Sequence, residues 1–289
     1  MHRLPLLLAA LLCVGGVAGA SMVQAADPPP TCDGKTATIV GTPGNDSLRG
    51  TNGSDVIVAL GGDDLINSMA GKDTVCAGEG DDKGGGSGTF HRFFGEGGDD
   101  QLNVNGGEVY GGAGNDTVGA TRRAEGGEGN DTVYGGYYNQ VLIGGPGNDR
   151  IIDPHGRNQM SGGSGNDLIS WQGCCALSGT VGDGGPGDDE LRMSGGTAIA
   201  GEGDDLVLGG AQPEKVDGGL GDDDIFGRSG PDELRGGPGR DRVVGDNGDD
   251  TLFGDEGDDF VVGLSQNDRC DGGPGTDKTT TCEVLVGFP

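Results

Sequence analysis

The sequence has little of what an ordinary globular protein uses to build a core. Its 289 residues include one Trp, four Tyr and seven Phe, and 67 residues are glycine. Ordering glycine costs more backbone entropy than ordering any other residue, and few large apolar groups are present to offset that cost. The chain should therefore stay largely disordered unless a bound ligand stabilises it.

Positive charge is also scarce. Lys and Arg together number 18 against 47 Asp and Glu, which gives a formal net charge of −29. Nucleic acids and anionic membranes need a basic protein face, so neither is expected as a partner. A cationic partner is expected instead.

The only long apolar run is at the N-terminus. His2 and Arg3 precede the apolar stretch 4–18, and Val23-Gln24-Ala25 offers small residues for cleavage. This pattern is typical of a secretory signal peptide over residues 1–26, and the apolar run is too short to span a membrane comfortably. We therefore expect an extracellular mature chain, secreted or attached to a cell surface, with no transmembrane segment.

Six cysteines remain in that mature chain, an even number that favours disulfides outside the cell. Cys32 with Cys76 would tie the N-terminal segment to the repeats, and Cys270 with Cys282 would close the C-terminal end. The adjacent Cys174 and Cys175 either pair with each other or stay free. A four-cysteine zinc site is the alternative, and the absence of any C-x-x-C pair disfavours it.

A nine-residue repeat fills most of the chain. Gly144-Gly145-Pro146-Gly147-Asn148-Asp149-Arg150-Ile151-Ile152 has the form G-G-x-G-x-D-x-U-x, where U is a large apolar residue. The segments 184–192, 218–226 and 236–244 repeat it. Nine residues should form one glycine turn and one short strand, so that two repeats make a coil of 18 residues.

Aspartates one coil apart should stack along one edge, which we call the long edge. Its members are Asp46, Asp64, Asp82, Asp100, Asp116, Asp131, Asp149, Asp167, Asp189, Asp205, Asp223, Asp241, Asp259 and Asp277. Each has a glycine two residues before it: Gly44, Gly62, Gly80, Gly98, Gly114, Gly129, Gly147, Gly165, Gly187, Gly203, Gly221, Gly239, Gly257 and Gly275. An aliphatic residue follows two positions after every one of these aspartates except Asp82 and Asp277, where Gly84 and Thr279 stand.

The opposite edge, which we call the short edge, keeps its acids only near the two ends. Its aspartates are Asp55, Asp73, Asp232, Asp250 and Asp268. Between them the same frame holds His91, Gln140, Asn158 or Glu214, or it is lost.

Regularly stacked carboxylates point to a hard divalent cation. Such cations bind carboxylates together with backbone carbonyls, and glycine permits the positive-φ turns that direct those carbonyls to one point. Carboxylates about 4.8 Å apart repel each other by about 1 kcal/mol in water and several-fold more in a lower dielectric. Several divalent cations are therefore expected between the coils, close to the aspartates and glycines named above.

These repeats resemble the RTX (haemolysin-type) calcium-binding family over about residues 41–280. The resemblance implies an all-β, right-handed parallel β-roll in which the motif aspartates and the carbonyls of the glycine turns hold calcium. Gln266, which replaces the motif glycine before Asp268, and His91 in the aspartate frame put their two sites in doubt. Relatives usually attach the repeats to a protease, lipase or pore-forming domain, whereas no such domain is expected here.

The expected organisation is a signal peptide (1–26), an N-terminal cap (27–40), the calcium-binding roll (41–280) and a C-terminal cap (281–289). Irregular loops are expected near 84–94, 119–125 and 171–183. They are either tolerated insertions or, with Arg122 and Arg123, a recognition patch.

No H-E-x-x-H or G-x-S-x-G motif is present, so we predict a protein that is not an enzyme. Its expected role is that of a structural or adhesive module that folds on calcium. The alternative is an accessory piece of a secreted toxin or hydrolase, with His91, His155 and Trp171 carrying activity in the irregular loops.

Overall fold

A computed structural model describes residues 28–88, 90–137, 139–172 and 179–286. Within these ranges every regular element is a β-strand. The predicted signal peptide lies outside the described residues, as do Cys174 and Cys175.

The strands are short, and most run for three to seven residues. They are β1 Thr31–Cys32, β2 Lys35–Thr36, β3 Ile39–Val40, β4 Ser47–Arg49, β5 Val56–Val58, β6 Leu65–Met69, β7 Thr74–Glu79, β8 Lys83–Gly86, β9 His91–Gly97, β10 Gln101–Val104, β11 Gly107–Ala113, β12 Thr117–Gly119, β13 Arg123–Glu128, β14 Thr132–Tyr134, β15 Val141–Pro146, β16 Arg150–Ile152, β17 Gln159–Ser164, β18 Leu168–Trp171, β19 Val181–Pro186, β20 Glu190–Met193, β21 Gly196–Glu202, β22 Leu206–Leu208, β23 Glu214–Leu220, β24 Asp224–Ser229, β25 Glu233–Pro238, β26 Arg242–Asn247, β27 Thr251–Glu256, β28 Phe260–Ser265, β29 Arg269–Asp271, β30 Lys278–Thr280 and β31 Val284–Val286.

From β3 onward the chain alternates between two parallel sheets. The odd-numbered strands β3 to β31 form a 15-stranded sheet, and the even-numbered strands β4 to β30 form a 14-stranded sheet. Each coil therefore contributes one strand to each sheet, as the repeat predicted. The fold is an all-β parallel solenoid.

Register survives the irregular steps in the repeat. Val133 pairs with Ile151 at the regular spacing of 18 residues, while Thr117 pairs with Thr132 after 15 and Leu168 with Glu190 after 22. The connections absorb the difference, so one apolar residue from each coil still meets its neighbour in the next. The long edge predicted from the sequence is confirmed as a continuous stack.

The core is a narrow apolar file between the two sheets. Val133, Ile151 and Ile169 on one sheet face Leu142 and Met160 on the other, and each is at most 2% exposed. Side chains alternate between the two faces of a strand, so every second residue points into the core. Each coil buries about two aliphatic side chains, whose burial stabilises the fold by roughly 3–6 kcal/mol. This amount is small beside the entropy cost of ordering 18 residues.

Where the sequence lacks an inward aliphatic residue, a larger ring fills the space. A Cβ on Gly84 would lie 2.1 Å from the Phe93 ring, and one on Gly182 would lie 2.5 Å from the Trp171 ring. Both rings are at most 2% exposed. Part of the predicted loop near 84–94 is therefore stacked strand, because β8 and β9 occupy its two ends.

Both predicted disulfides close the ends of the solenoid. Cys32 pairs with Cys76 and Cys270 pairs with Cys282. Cys32, Cys76 and Val58 form a small apolar cluster separate from the core, which places the hairpin β1–β2 on the outer face of the 15-stranded sheet. β3 and β31 are the outermost strands of that sheet.

Across the described ranges, no helix has the length and apolar character needed to cross a bilayer.

Candidate metal sites

The turns depend on glycine at defined positions. Gly147 has a φ of 138°, and a Cβ there would lie 1.8 Å from the carbonyl oxygen of Gly129 in the preceding coil. Gly129 and Gly165, one coil to either side, have φ values of 130° and 116°. No L side chain fits this conformation and spacing, which explains why glycine recurs two residues before the aspartate in these stacked turns.

One carboxylate oxygen of each long-edge aspartate has a backbone partner. The Oδ1 of Asp149 accepts the N–H of Asp131 at 2.7 Å, and the Oδ1 of Asp167 accepts the N–H of Asp149 at 2.7 Å. The same bond joins every successive pair from Asp46 to Asp277, at 2.6–3.0 Å. The carboxylates are thus held in one orientation by the preceding coil.

The second oxygen is buried without a protein partner. This holds for the Oδ2 of all thirteen long-edge aspartates after Asp46: Asp64, Asp82, Asp100, Asp116, Asp131, Asp149, Asp167, Asp189, Asp205, Asp223, Asp241, Asp259 and Asp277. Burying an unpaired carboxylate oxygen is costly unless a cation or proton compensates. This row of unpartnered oxygens is the strongest sign of ligand sites in the chain.

Carbonyl oxygens converge on the same points. A Cβ placed on Gly95 would lie 1.9 Å from the Oδ2 of Asp100 and 2.4 Å from the carbonyl oxygen of Gly111, so these two oxygens border the same small space. A Cβ placed on Gly162 would lie 2.1 Å from the Oδ2 of Asp167 and 2.6 Å from the carbonyl oxygen of Gly184. Two oxygens of the same polarity facing one small space fit a hard cation with oxygen ligands, such as calcium.

Burial raises the pKa of these carboxyls. Desolvation, together with repulsion from neighbouring carboxylates, raises the pKa of Asp131, Asp167 and Asp241 from 3.8 to about 7. Backbone hydrogen bonds act in the opposite direction but are outweighed. Without a cation these groups therefore hold protons near neutral pH.

No cluster of three or more His, Cys, Asp or Glu side chains suited to a metal occurs among the described residues. That result agrees with the turn geometry, because here the side chains supply single carboxylates and the backbone supplies the other oxygens.

The first aspartate on each edge differs from the rest. The Oδ2 of Asp46 accepts the N–H and hydroxyl of Thr42, and the Oδ2 of Asp55 accepts the same groups of Thr51. The Oδ2 of Asp46 and the Oδ2 of Asp55 therefore each have protein donors, although the sequence pattern predicted these two aspartates as ligands equal to the others.

The C-terminal part of the short edge is longer than the sequence pattern indicated. The N–H of Glu214 donates to the Oδ1 of Asp232 at 2.9 Å, and the N–H of Asp268 donates to the Oε2 of Glu283 at 2.6 Å. The Oε2 of Glu214 is buried without a hydrogen-bond partner. A Cβ placed on Gly209 would lie 2.4 Å from this Oε2 and 2.4 Å from the carbonyl oxygen of Gly227, so the two oxygens border one space.

Glu214 and Glu283 were not among the predicted ligands. Their spacings of 18 residues before Asp232 and 15 after Asp268 could have shown them, had glutamate been allowed in the aspartate frame. Asp232, Asp250 and Asp268 lie between them, each with an unpartnered Oδ2, and burial raises the pKa of Asp232 to about 8. Gln266, at φ 83°, adopts the turn conformation usually left to glycine.

At the N-terminal part of the short edge, His91 stands beside Asp73. Its Nε2 accepts the N–H of Gly88 at 2.6 Å, so its Nδ1 carries the proton and faces the Oδ2 of Asp73 at 3.1 Å. The imidazole thus occupies the space next to Asp73, which the sequence marked as doubtful.

Amide side chains replace carboxylates in the middle of the short edge. Gln140 donates through Nε2 to the carbonyl oxygen of Ala120 at 2.8 Å. The Nδ2 of Asn158 donates to the Oδ2 of Asp153 and to the carbonyl oxygen of His155. N–H donors of the protein therefore compensate the oxygens here.

Together the fold and these turns define a parallel β-solenoid of glycine–aspartate repeats with oxygen-lined cation sites along its edges. The chain belongs to the family described as the RTX calcium-binding nonapeptide repeat. The family model matches residues 36–64, 49–83, 108–120, 123–137, 134–169, 217–252 and 244–278, together more than half of the chain. The chain is accordingly a calcium-binding protein that takes several ions.

A solved structure shares the fold. It is described as a hyperactive, calcium-dependent, β-helical antifreeze protein from an Antarctic bacterium, with a TM-score of 0.54 and 20% sequence identity. The similarity covers 77% of this chain and 85% of that one. No curated protein sequence matches this chain significantly.

Proposed function

We propose that the chain is a secreted module that folds on calcium and then serves as a structural or adhesive scaffold. The observation that supports this most directly is the row of buried Oδ2 atoms without protein partners, several of which, such as those of Asp100 and Asp167, share a small space with a carbonyl oxygen. A calcium ion in each space would supply the positive charge that this row lacks.

In this proposal the ligands are the aspartates of both edges and the carbonyls of the glycine turns named from the sequence. Glu214 and Glu283 join them at the short edge. Asp46 and Asp55 contribute least, because Thr42 and Thr51 already satisfy their second oxygens. The chain's own residues hold the carboxylates in one orientation, and the next coil completes each site.

A role outside the cell fits the calcium supply. Extracellular calcium modules bind at about 10⁻⁴–10⁻³ M, concentrations that the cytosol does not reach. Two disulfides at the ends of the solenoid also fit an oxidising compartment. The chain would thus remain unfolded until it is exported and would fold where calcium is abundant.

A non-enzymatic role is supported by the contacts of the residues considered for catalysis. His91 is 1% exposed, and its Nδ1 lies 3.1 Å from the Oδ2 of Asp73 and 3.3 Å from the Oγ of Ser68. The Trp171 indole donates to the carbonyl oxygen of Gly195 at 2.8 Å. The His155 ring stacks on Tyr137 at 4.5 Å. Packing and hydrogen bonding account for each of the three.

Circular dichroism of the purified mature chain during a calcium titration tests the proposal. In metal-free buffer the spectrum should be that of a disordered chain, and calcium in the range of about 10⁻⁴–10⁻³ M should produce a cooperative β-sheet spectrum. Magnesium should not reproduce it, because it demands a stricter octahedral geometry and gives up its water reluctantly. A fully folded chain in excess chelator would disprove calcium-dependent folding.

A further inference from the structure

A groove of 680 Å³ runs across the last four coils, along the border between the long edge and the 14-stranded sheet. The buried aspartates Asp223, Asp241 and Asp259 line its floor. Two rows of exposed side chains form its walls. The groove is thus built directly on the proposed calcium sites.

One wall follows the register of the sheet. Asp224 pairs with Arg242, Arg242 with Phe260, and Phe260 with Lys278. The other wall consists of the residues just before the floor aspartates: Asp222, Arg240, Asp258 and Thr276. Neighbouring parallel strands lie about 4.8 Å apart, so each wall repeats its contacts at that interval along the groove.

The charges of the walls balance. Arg240 lies 3.0 Å from Asp222, and Arg242 lies 4.0 Å from Asp224. With Lys278 and Asp258 included, the exposed residues that line the groove comprise three cationic and three anionic side chains. Within a strongly acidic chain, this segment therefore offers hydrogen-bond donors and acceptors in alternation without a dominant charge.

An aromatic ring stands in the middle of the polar wall. Phe260 is 38% exposed and lies between Arg242 and Lys278 in the register. The exposed ring and the polar side chains beside it offer a small-molecule ligand one apolar contact surface and several hydrogen-bonding groups.

We infer that this groove binds a neutral, unbranched oligosaccharide. A pyranose has an apolar C–H face that packs on an aromatic ring and a rim of hydroxyls that pairs with guanidinium and carboxylate groups. Repeating sugar units suit a groove whose contacts also repeat. The inference deepens the proposed adhesive role and rests on it, since the floor is ordered only in the folded solenoid.

Charged polymers fit the groove less well. Arg240, Arg242 and Lys278 oppose a cationic peptide, while the three acidic side chains of the walls and the net charge of −29 oppose an anionic polymer. A neutral polyhydroxylated ligand avoids both penalties.

The test is binding of the calcium-loaded chain to an array of neutral and acidic oligosaccharides, followed by calorimetry with the best neutral tetrasaccharide. We expect binding to neutral glycans, and a loss of at least tenfold in affinity for Phe260→Ala and for Arg242→Gln. Phe253→Ala is the matched control, because Phe253 lies on the other sheet under Arg235 and outside the groove. It should bind like the unmodified chain.

Circular dichroism of the same samples separates the two proposals. If calcium induces the β-sheet spectrum but no neutral glycan binds, or if Phe260→Ala binds unchanged, the groove inference is wrong and the calcium proposal stands. Selective binding of acidic glycans also overturns the inference. If calcium induces no folding, the calcium proposal itself fails, whatever the array shows.

Discussion

At the scale of single residues, the two oxygens of one carboxylate have separate roles. The Oδ1 of Asp149 carries a backbone hydrogen bond from Asp131, while its Oδ2 has no protein partner. Asparagine can replace the first role but not the second, because its carbonyl accepts a hydrogen bond without supplying a full negative charge.

Asp149→Asn should therefore weaken calcium binding while preserving the turn. We expect one fewer bound ion by calorimetry and a higher calcium midpoint for folding. The matched control is Asp46→Asn, which should change little because Thr42 already bonds the Oδ2 of Asp46. Equal effects of the two substitutions would contradict the assignment.

The glycines at the turns can be tested in the same paired way. Gly147→Ala forces a Cβ to within 1.8 Å of the Gly129 carbonyl oxygen at a φ of 138°. We expect it to destabilise the calcium-loaded solenoid by at least about 1–3 kcal/mol. Thermal unfolding in saturating calcium measures this loss.

Gly44→Ala supplies the comparison for that measurement. Gly44 holds the same motif position in the first coil, and a Cβ there meets nothing within 4 Å. It should leave the unfolding temperature nearly unchanged. A comparable loss at both positions would show that glycine acts through chain flexibility rather than through close approach of the coils.

At the scale of the strand and turn, stacking converts isolated acids into a coupled row. Burial raises the pKa of Asp100, Asp131 and Asp205 to about 7 in the folded, cation-free chain. A carboxyl whose folded pKa is raised stabilises the fold below its ordinary pKa, and that stabilisation is lost as pH rises through the folded value. Each cation-free coil is thus least stable above about pH 7.

Acidification should therefore partly replace calcium. In metal-free buffer, lowering the pH from 8 to 5 should increase the β-sheet signal in circular dichroism, because protons neutralise the buried row. Calcium affinity should fall over the same range, since each ion displaces protons. A chain that loses β-structure on acidification in metal-free buffer would contradict the assigned direction.

The strands also show the limit of the repeat pattern. The pattern predicts an inward aliphatic residue in every coil, and Gly84 appears as a defect. Phe93 fills that space from the neighbouring sheet, and Trp171 does the same above Gly182. The nine-residue frame cannot reveal such compensation, because the two partners belong to different strands with no fixed spacing.

At the scale of the whole molecule, the ends are the weakest part of a solenoid, because a terminal coil has only one neighbour. Val284, Leu285 and Val286 of the last strand are more than 40% exposed. The Cys270–Cys282 disulfide ties this end to the coils before it.

Reduction should loosen the C-terminal end before the rest. The closed loop has a sequence separation of 12, for which chain entropy predicts roughly 3 kcal/mol. We expect Cys270→Ser with Cys282→Ser to speed hydrogen exchange over residues 260–286 and to leave residues 130–170 unaffected. Uniform acceleration along the chain would argue that the solenoid unfolds as one unit.

The sequence alone determined the repeat, the two strands per coil, the continuous long edge and the calcium chemistry, because each depends on spacing along the chain. It also identified both terminal disulfide pairs. Only the tertiary structure decided which oxygens remain unpartnered, since that depends on contacts between coils. The roles of Glu214 and Glu283, the Thr42 and Thr51 caps and the groove around Phe260 follow from those contacts, and the spacing of the repeat does not reveal them.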